Sequence, residues 1–201
     1  MPKRRPKRPR TNAERSAATQ DALLASARAL FAERGYAEVG VAELARGAGV
    51  TTGAVYHHFG SKEGLFRALL EAIHAEVAER IAEAAAGLDP WNQLVTGCRA
   101  FLEASTAPEV QRIMLVDGPA VLGWSAWREL DARTSMRQLE EVLELLVREG
   151  EVADQPLAPL AHLLSGAMNE AALWLAQSDD RDRDLARTTA ALTRMLEALR
   201  A

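Results

Sequence analysis

The sequence predicts an all-α protein, on three observations. Of its 201 residues 48% are hydrophobic and only 5% aromatic, with scarcely any alternating Val/Ile/Thr run from which strands would be built. Apolar residues recur every three or four positions over long windows, the period of a helix face. Glycine, proline and Ser/Asp clusters interrupt those windows where helices would end.

Taken in order, the elements begin after MPKRRPKRPR, which carries six basic residues and three prolines and has nothing to bury. Residues 1–10 therefore read as a disordered arm, either a solubilising tail or a DNA-contacting one. Thr11 and Glu14 have capping-box spacing, and Leu23, Ala27, Leu30 and Phe31 give a helix from Asn12 to Arg34, stopped by Gly35. A short helix Val41–Gly47 buries Val41, Leu44 and Ala45, and Gly49 then breaks the chain. A third helix runs Thr51–Phe59. Ser61 caps a fourth, whose stripe is Leu65, Phe66, Leu69, Ile73, Val77 and Ile81. Beyond Gly87 the expected helices are 90–104, 108–116, 125–148, 156–177 and 181–199, with a turn around Asp117-Gly118-Pro119. The domain division is 1–10, 11–60 and 61–201, with no flexible spacer between the last two.

Composition bounds the function. The formal charge of −4 is uneven: 12 Lys+Arg face 6 Asp+Glu up to Arg67, and 12 face 22 beyond it. A basic N-terminal part and an acidic remainder have different partners. The single Cys98 cannot form an intramolecular disulfide, and no stretch approaches the roughly 18 apolar residues of a membrane span. The N-terminus lacks the apolar core of a secretory signal, so a cytoplasmic protein with no membrane partner is expected.

Ala45, Gly49 and Val55, set in two short helices around a glycine, fit a helix-turn-helix. Ala45 is small where the helices cross, Gly49 tolerates positive φ at the reversal, and Val50 and Val55 plug the interface. The helical phase turns Thr51, Thr52, Ala54, Tyr56 and His57 outward, with Gly53 permitting close backbone approach. Small hydroxyl and methyl side chains suit phosphates and thymine methyls in a major groove, and a tyrosine hydroxyl or imidazole can donate to phosphate. Lys62, in the first turn of the next helix, adds an anion site. Phe59 reads as core.

The stretch VAELARGAGVTTGAVYHHFGSKEGLF, with Gly35-Tyr36 before it, resembles the N-terminal domain of the TetR family of bacterial transcriptional regulators, whose pattern runs roughly A-G-V-S-x-G-x-L-Y-x-H-F-x-S-K-E-x-L. Ala48, Gly49, Val50, Gly53, Tyr56, His58, Phe59, Ser61, Lys62, Glu63 and Leu65 match it as they stand. The resemblance covers about residues 15–70. It departs at Val39 and Gly40, where the family has a hydroxyl pair that caps helix 2 and contacts phosphate; the basic arm is left to compensate. It implies a three-helix DNA-binding domain joined by a long helix to a C-terminal helical domain that binds an unknown small-molecule effector and forms a homodimer. It further implies a repressor on a palindromic duplex DNA operator.

The stripe Leu160, Leu164, Ala167, Ala171 and Trp174, and that of Leu185, Thr189, Leu192, Leu196 and Leu199, are wider than one subunit needs. Trp91, Cys98, Phe101, Met114, Trp124, Trp127, His162 and Trp174 are pocket candidates, since aromatic and Met side chains supply apolar area and a lone His or Cys orients a ligand. Each also suits ordinary core. No catalytic residue, metal or cofactor is assigned: His57 and His58 point about 100° apart, unlike a metal-sharing i, i+4 pair, and Cys98 has no local basic partner. The alternatives are a helical small-molecule carrier or an enzyme that uses the C-terminal pocket, and a protein-interaction bundle without DNA.

Overall fold

The computed structural model describes residues 11–201; the expected basic arm lies outside them. Every named element among the described residues is helical, as expected. Thr11 and Glu14 cap each other, Oγ1 accepting the Glu14 N–H at 3.2 Å and the Glu14 carboxylate accepting the Thr11 N–H at 2.6 Å. From this cap α1 runs Asn12–Arg34 and ends at Gly35, whose φ of 80° is cheap only for glycine. The Arg112 guanidinium lies against the bare face of Gly35, where a Cβ would have to displace it.

α2 (Val41–Gly47) begins at Gly40, which has no side chain to cap it. The Glu43 carboxylate supplies the missing half, accepting the Gly40 N–H at 3.1 Å while pairing with Arg34 at 2.9 Å. After Gly49, with φ 67°, comes α3 (Thr52–Phe59), which starts one residue later than expected because Thr51 is its cap position. α4 (Lys62–Ala85) is the next helix, its Ser61 Oγ accepting the Gly64 N–H at 2.9 Å.

Leu23, Ala27, Phe31, Leu44, Val55, Leu65 and Phe66 are fully buried where these four helices meet. Each large apolar side chain taken from water there contributes about 1.5–3 kcal/mol. Phe31, Tyr36 and Phe66 form an aromatic trio with centroids 5.1 to 5.5 Å apart. The buried core is continuous from Leu23 to Leu196, and α4 is common to both ends of it.

α5 (Pro90–Ser105) is opened by Asp89, whose carboxylate accepts the Asn92 N–H at 3.1 Å. Two expectations fail after it. The turn expected at Asp117-Gly118-Pro119 is helical: α6 (Pro108–Val110) widens into a π-helical segment, Gln111–Asp117, and continues as α7 (Gly118–Leu122). Pro119 lacks an N–H and its ring crowds the carbonyl four residues back, and it sits in the first turn of α7, where a proline is tolerated.

The single helix expected over 125–148 is two, α8 (Trp124–Ala132) and α9 (Ser135–Arg148). The Thr134 hydroxyl donates to the Leu130 and Asp131 carbonyls, and the backbone breaks there. α10 (Leu157–Leu175) and α11 (Arg181–Glu197) complete the chain.

Polar contacts bind the first helices to the rest. Arg28 on α1 holds Glu76 of α4 at 2.7 Å and Glu109 of α6 at 2.8 Å.

Candidate nucleic-acid interface and internal cavity

The turn between α2 and α3 is built as its residue types require. Val50 N–H donates to the Ala45 carbonyl at 2.9 Å, and Ser26 Oγ on α1 donates to the Leu44 carbonyl at 2.9 Å, binding the helices that support the turn. Val55, wholly buried, pins one side of α3. Its other side is free: Thr51, Thr52, Gly53, Tyr56 and His57 are exposed, Tyr56 at 54%, and Ala54 is half-buried. The Thr51 side chain caps nothing, which leaves its hydroxyl available.

His57 and His58 rings meet edge to face, 5.0 Å between centroids. Phe59 is partly buried against the core. Lys62 is half-buried, with its Nζ 4.0 Å from the centroid of the Tyr36 ring. Burial pulls its ammonium below the usual lysine range, against the opposing charge of Glu38. Tyr36 thus sets where the Lys62 charge stands, a role its position before α2 did not signal.

A second site lies in the C-terminal helices. A cavity of about 370 Å³ opens between α4, α5, α8, α9 and α10. Of the eight sequence candidates it gathers Cys98 and Phe101. Trp91, Met114 and Trp127 are buried elsewhere in the core; the Trp127 Nε1–H is committed to the Met114 carbonyl at 2.7 Å. Trp124 and Trp174 are 66% and 52% exposed, and His162 lies on the surface against Arg128 at 3.1 Å.

The sequence reading missed the cavity's polar wall, where Asp131, Ser135, Gln138 and Ser165 join apolar Met136 and Met168. A signal was present: Asp131, Ser135 and Gln138 fall on the same helical phase as Trp127 and Leu130, where apolar residues are expected. Asp131 is 3% exposed and held through Oδ2 by Arg128 Nη1 at 2.6 Å and by Ser165 Oγ at 3.3 Å. Burial raises its carboxyl above the ordinary range, and Arg128, Ser165 and His162 counter this. Burial pushes the Cys98 thiol up to about 12, far from a reactive thiolate. No three His, Cys, Asp or Glu side chains cluster as metal ligands among the described residues. No helix among them is long and apolar enough to cross a membrane.

Comparisons with known proteins bear on the family and the fold. Residues 23–69 match the family described as bacterial regulatory proteins, tetR family, and residues 91–199 match the tetracyclin repressor-like C-terminal domain. A TetR-family transcriptional regulator from Pectobacterium atrosepticum of known structure is 38% identical over 96% of this chain and 98% of its own, with a TM-score of 0.78.

The HTH-type transcriptional regulator CymR of Pseudomonas putida is 39% identical over 90 residues, 45% of this chain and 44% of its own. The HTH-type transcriptional repressor AcnR of Corynebacterium efficiens is 41% identical over 81 residues, 40% of this chain and 39% of its own. The match thus spans less than half the length of either curated relative. Both are transcriptional regulators by name.

Proposed function

Because the chain belongs to the TetR family of bacterial regulatory proteins, we propose that it is a ligand-responsive repressor that binds a near-palindromic DNA operator as a homodimer. The observation that carries this reading is the division of α3, with Val55 sealed inside and Thr51, Thr52, Gly53, Tyr56 and His57 presented outside. A helix so divided can enter a major groove about 12 Å wide without disturbing its own support. Thr52 and Ala54 read base edges; Thr51, Tyr56, His57 and Lys62 hold phosphates, and Gly53 lets the backbone come close.

Two copies of α3 must meet grooves about 34–36 Å apart, or a multiple of that. The exposed Leu163, Trp174 and Met195 on α10 and α11 supply the surface through which two subunits join. A molecule in the cavity that prefers a different spacing of the two α3 copies releases the DNA, and the shift equals its differential affinity for the two states.

The test is a titration with the DNA upstream of the protein's own gene and with random genomic fragments, over a range of salt. Specific binding that weakens steeply with salt is expected. Equal affinity for every fragment would leave only charge attraction.

A further inference from the structure

The cavity's free hydrogen-bonding capacity is weighted toward acceptors. Gln93 commits Nε2 to the Leu88 carbonyl and Gln138 commits Nε2 to the Ala78 carbonyl. Arg128 stands behind the wall rather than in it, and no Lys, Arg or His lines the cavity. The groups left over are two acceptor oxygens and one hydroxyl that can accept or donate. Asp131 Oδ1 receives no hydrogen bond among the described residues, its partners all being on Oδ2. Gln138 Oε1 and Ser135 Oγ, on two more lining residues, are buried without a partner.

Charge narrows the choice further. An anion would be buried beside a carboxylate with no lining cation, which is strongly unfavourable. A cation meets a different objection: both lining carboxylates are already answered, Asp131 by Arg128 at 2.6 Å and Glu141 by Arg137 at 2.8 Å, so a further positive group would be buried unmatched. A neutral donor incurs neither penalty and completes the Oδ1 shell. The other walls, Leu94, Phe101, Leu139 and Met168 among them, are apolar. The volume of about 370 Å³ equals on the order of a dozen waters at roughly 30 Å³ each, room for about as many heavy atoms.

We propose that the effector is a small uncharged alcohol or phenol on a compact hydrocarbon frame, with its hydroxyl donating to Asp131 Oδ1. This rests on the ligand-responsive reading of the chain and deepens it.

Four naphthalenes of matched size test it by calorimetry on the full protein: 2-naphthol, 2-methoxynaphthalene, 2-naphthoate and 2-(aminomethyl)naphthalene. The naphthol should bind at least about 10-fold more tightly than the methyl ether, the value expected of a hydrogen bond to a charged acceptor. The naphthoate and the ammonium compound should bind more weakly still. Asp131→Asn, which can keep a carbonyl toward Arg128 and turn an amide N–H to the cavity, should abolish or reverse the preference for naphthol over ether.

Tighter binding of the ether, the carboxylate or the amine overturns the proposal, as does failure of all four to bind at millimolar concentration. An unchanged preference in Asp131→Asn overturns the residue assignment; should that variant not fold, the ranking on the unaltered protein decides. Operator binding is measured on the same preparations without ligand, so loss of the DNA reading and loss of this one are told apart.

Discussion

The Tyr36 backbone N–H donates to Asp117 Oδ2 at 2.8 Å, so the last residue of the π-helical segment grips the turn that succeeds α1. The same carboxylate faces Arg112 through Oδ1 at 3.4 Å, and Asp117 is only 8% exposed. Asp117→Ala would leave the Tyr36 N–H without its partner, costing about 1–3 kcal/mol. For a chain of this size the unfolding midpoint should fall by several degrees. Asp117→Asn, which keeps an acceptor, should recover most of the loss. A midpoint unmoved by the alanine variant would mean that the contact is slack.

On the exposed face of α3 the proposed roles separate by how binding changes. Tyr56→Phe and Lys62→Ala should weaken every DNA sequence alike, and Lys62→Ala should reduce the salt slope by about 1. Replacing Thr52 or Ala54 should instead reorder base preference, by roughly 1–3 kcal/mol at one position of the half-site. Binding curves on operator variants at several salt concentrations distinguish the two patterns. Unaltered affinity and slope in Lys62→Ala would remove it from the phosphate contacts.

His74 gives the protein an acid-sensitive limb. It is 2% exposed on α4 beside Trp127, its Nε2 has no partner among the described residues, and burial lowers its pKa to about 4. The folded chain therefore keeps it neutral where the unfolded chain, with an ordinary pKa near 6.5, takes up a proton. The unfolded state binds more protons across that window, so stability declines as pH falls from about 6.5 to about 4, by up to about 3 kcal/mol. His74→Leu should flatten this limb and cost little at neutral pH, since it buries no unpaired nitrogen. Denaturant titrations at pH 7, 5.5 and 4.5 read the difference. An equally steep decline in the variant would place the sensitivity elsewhere.

Leu163 is 72% exposed, Met195 55% and Trp174 52%, an apolar surface on the last two helices that a single subunit leaves in water. Leu163→Arg together with Met195→Arg should convert a dimer into a monomer at micromolar concentration in a sedimentation experiment, without loss of helicity. Operator affinity should then fall by orders of magnitude, because two half-sites would bind independently. A wild-type protein that sediments as a monomer would defeat the two-half-site mechanism itself.

The local signals carried most of the architecture. Thr11 with Glu14 and Ser61 announce helix starts because each can accept an N–H of the first turn, and the bounds of α1 and α2 were expected as found. The α3 face was legible for a different reason: 3.6-residue periodicity separates Val55 from Tyr56 and His57.

The sequence reading failed where tertiary contacts override local habit. Asp-Gly-Pro at 117–119 has the composition of a turn, yet Asp117 is drawn into a helix that packs on α1, where its carboxylate accepts the Tyr36 N–H. The Thr134 break is invisible to periodicity, since the apolar phase runs across it. The aromatic residues were expected at the cavity for their size, but Trp127 is committed to the Met114 carbonyl and Trp124 and Trp174 to the surface. Polar residues on an apolar phase were the better guide.

A π turn is an α-helix carrying one surplus residue, so Gln111–Asp117 sets the angular phase of the chain beyond it. Deleting one residue there would close the widened turn and swing α7 by about 100°. Asp117 would lose its hold on Tyr36. The grip of Asp117 on the turn after α1 is thus set by the length of this stretch as well as by its side chains.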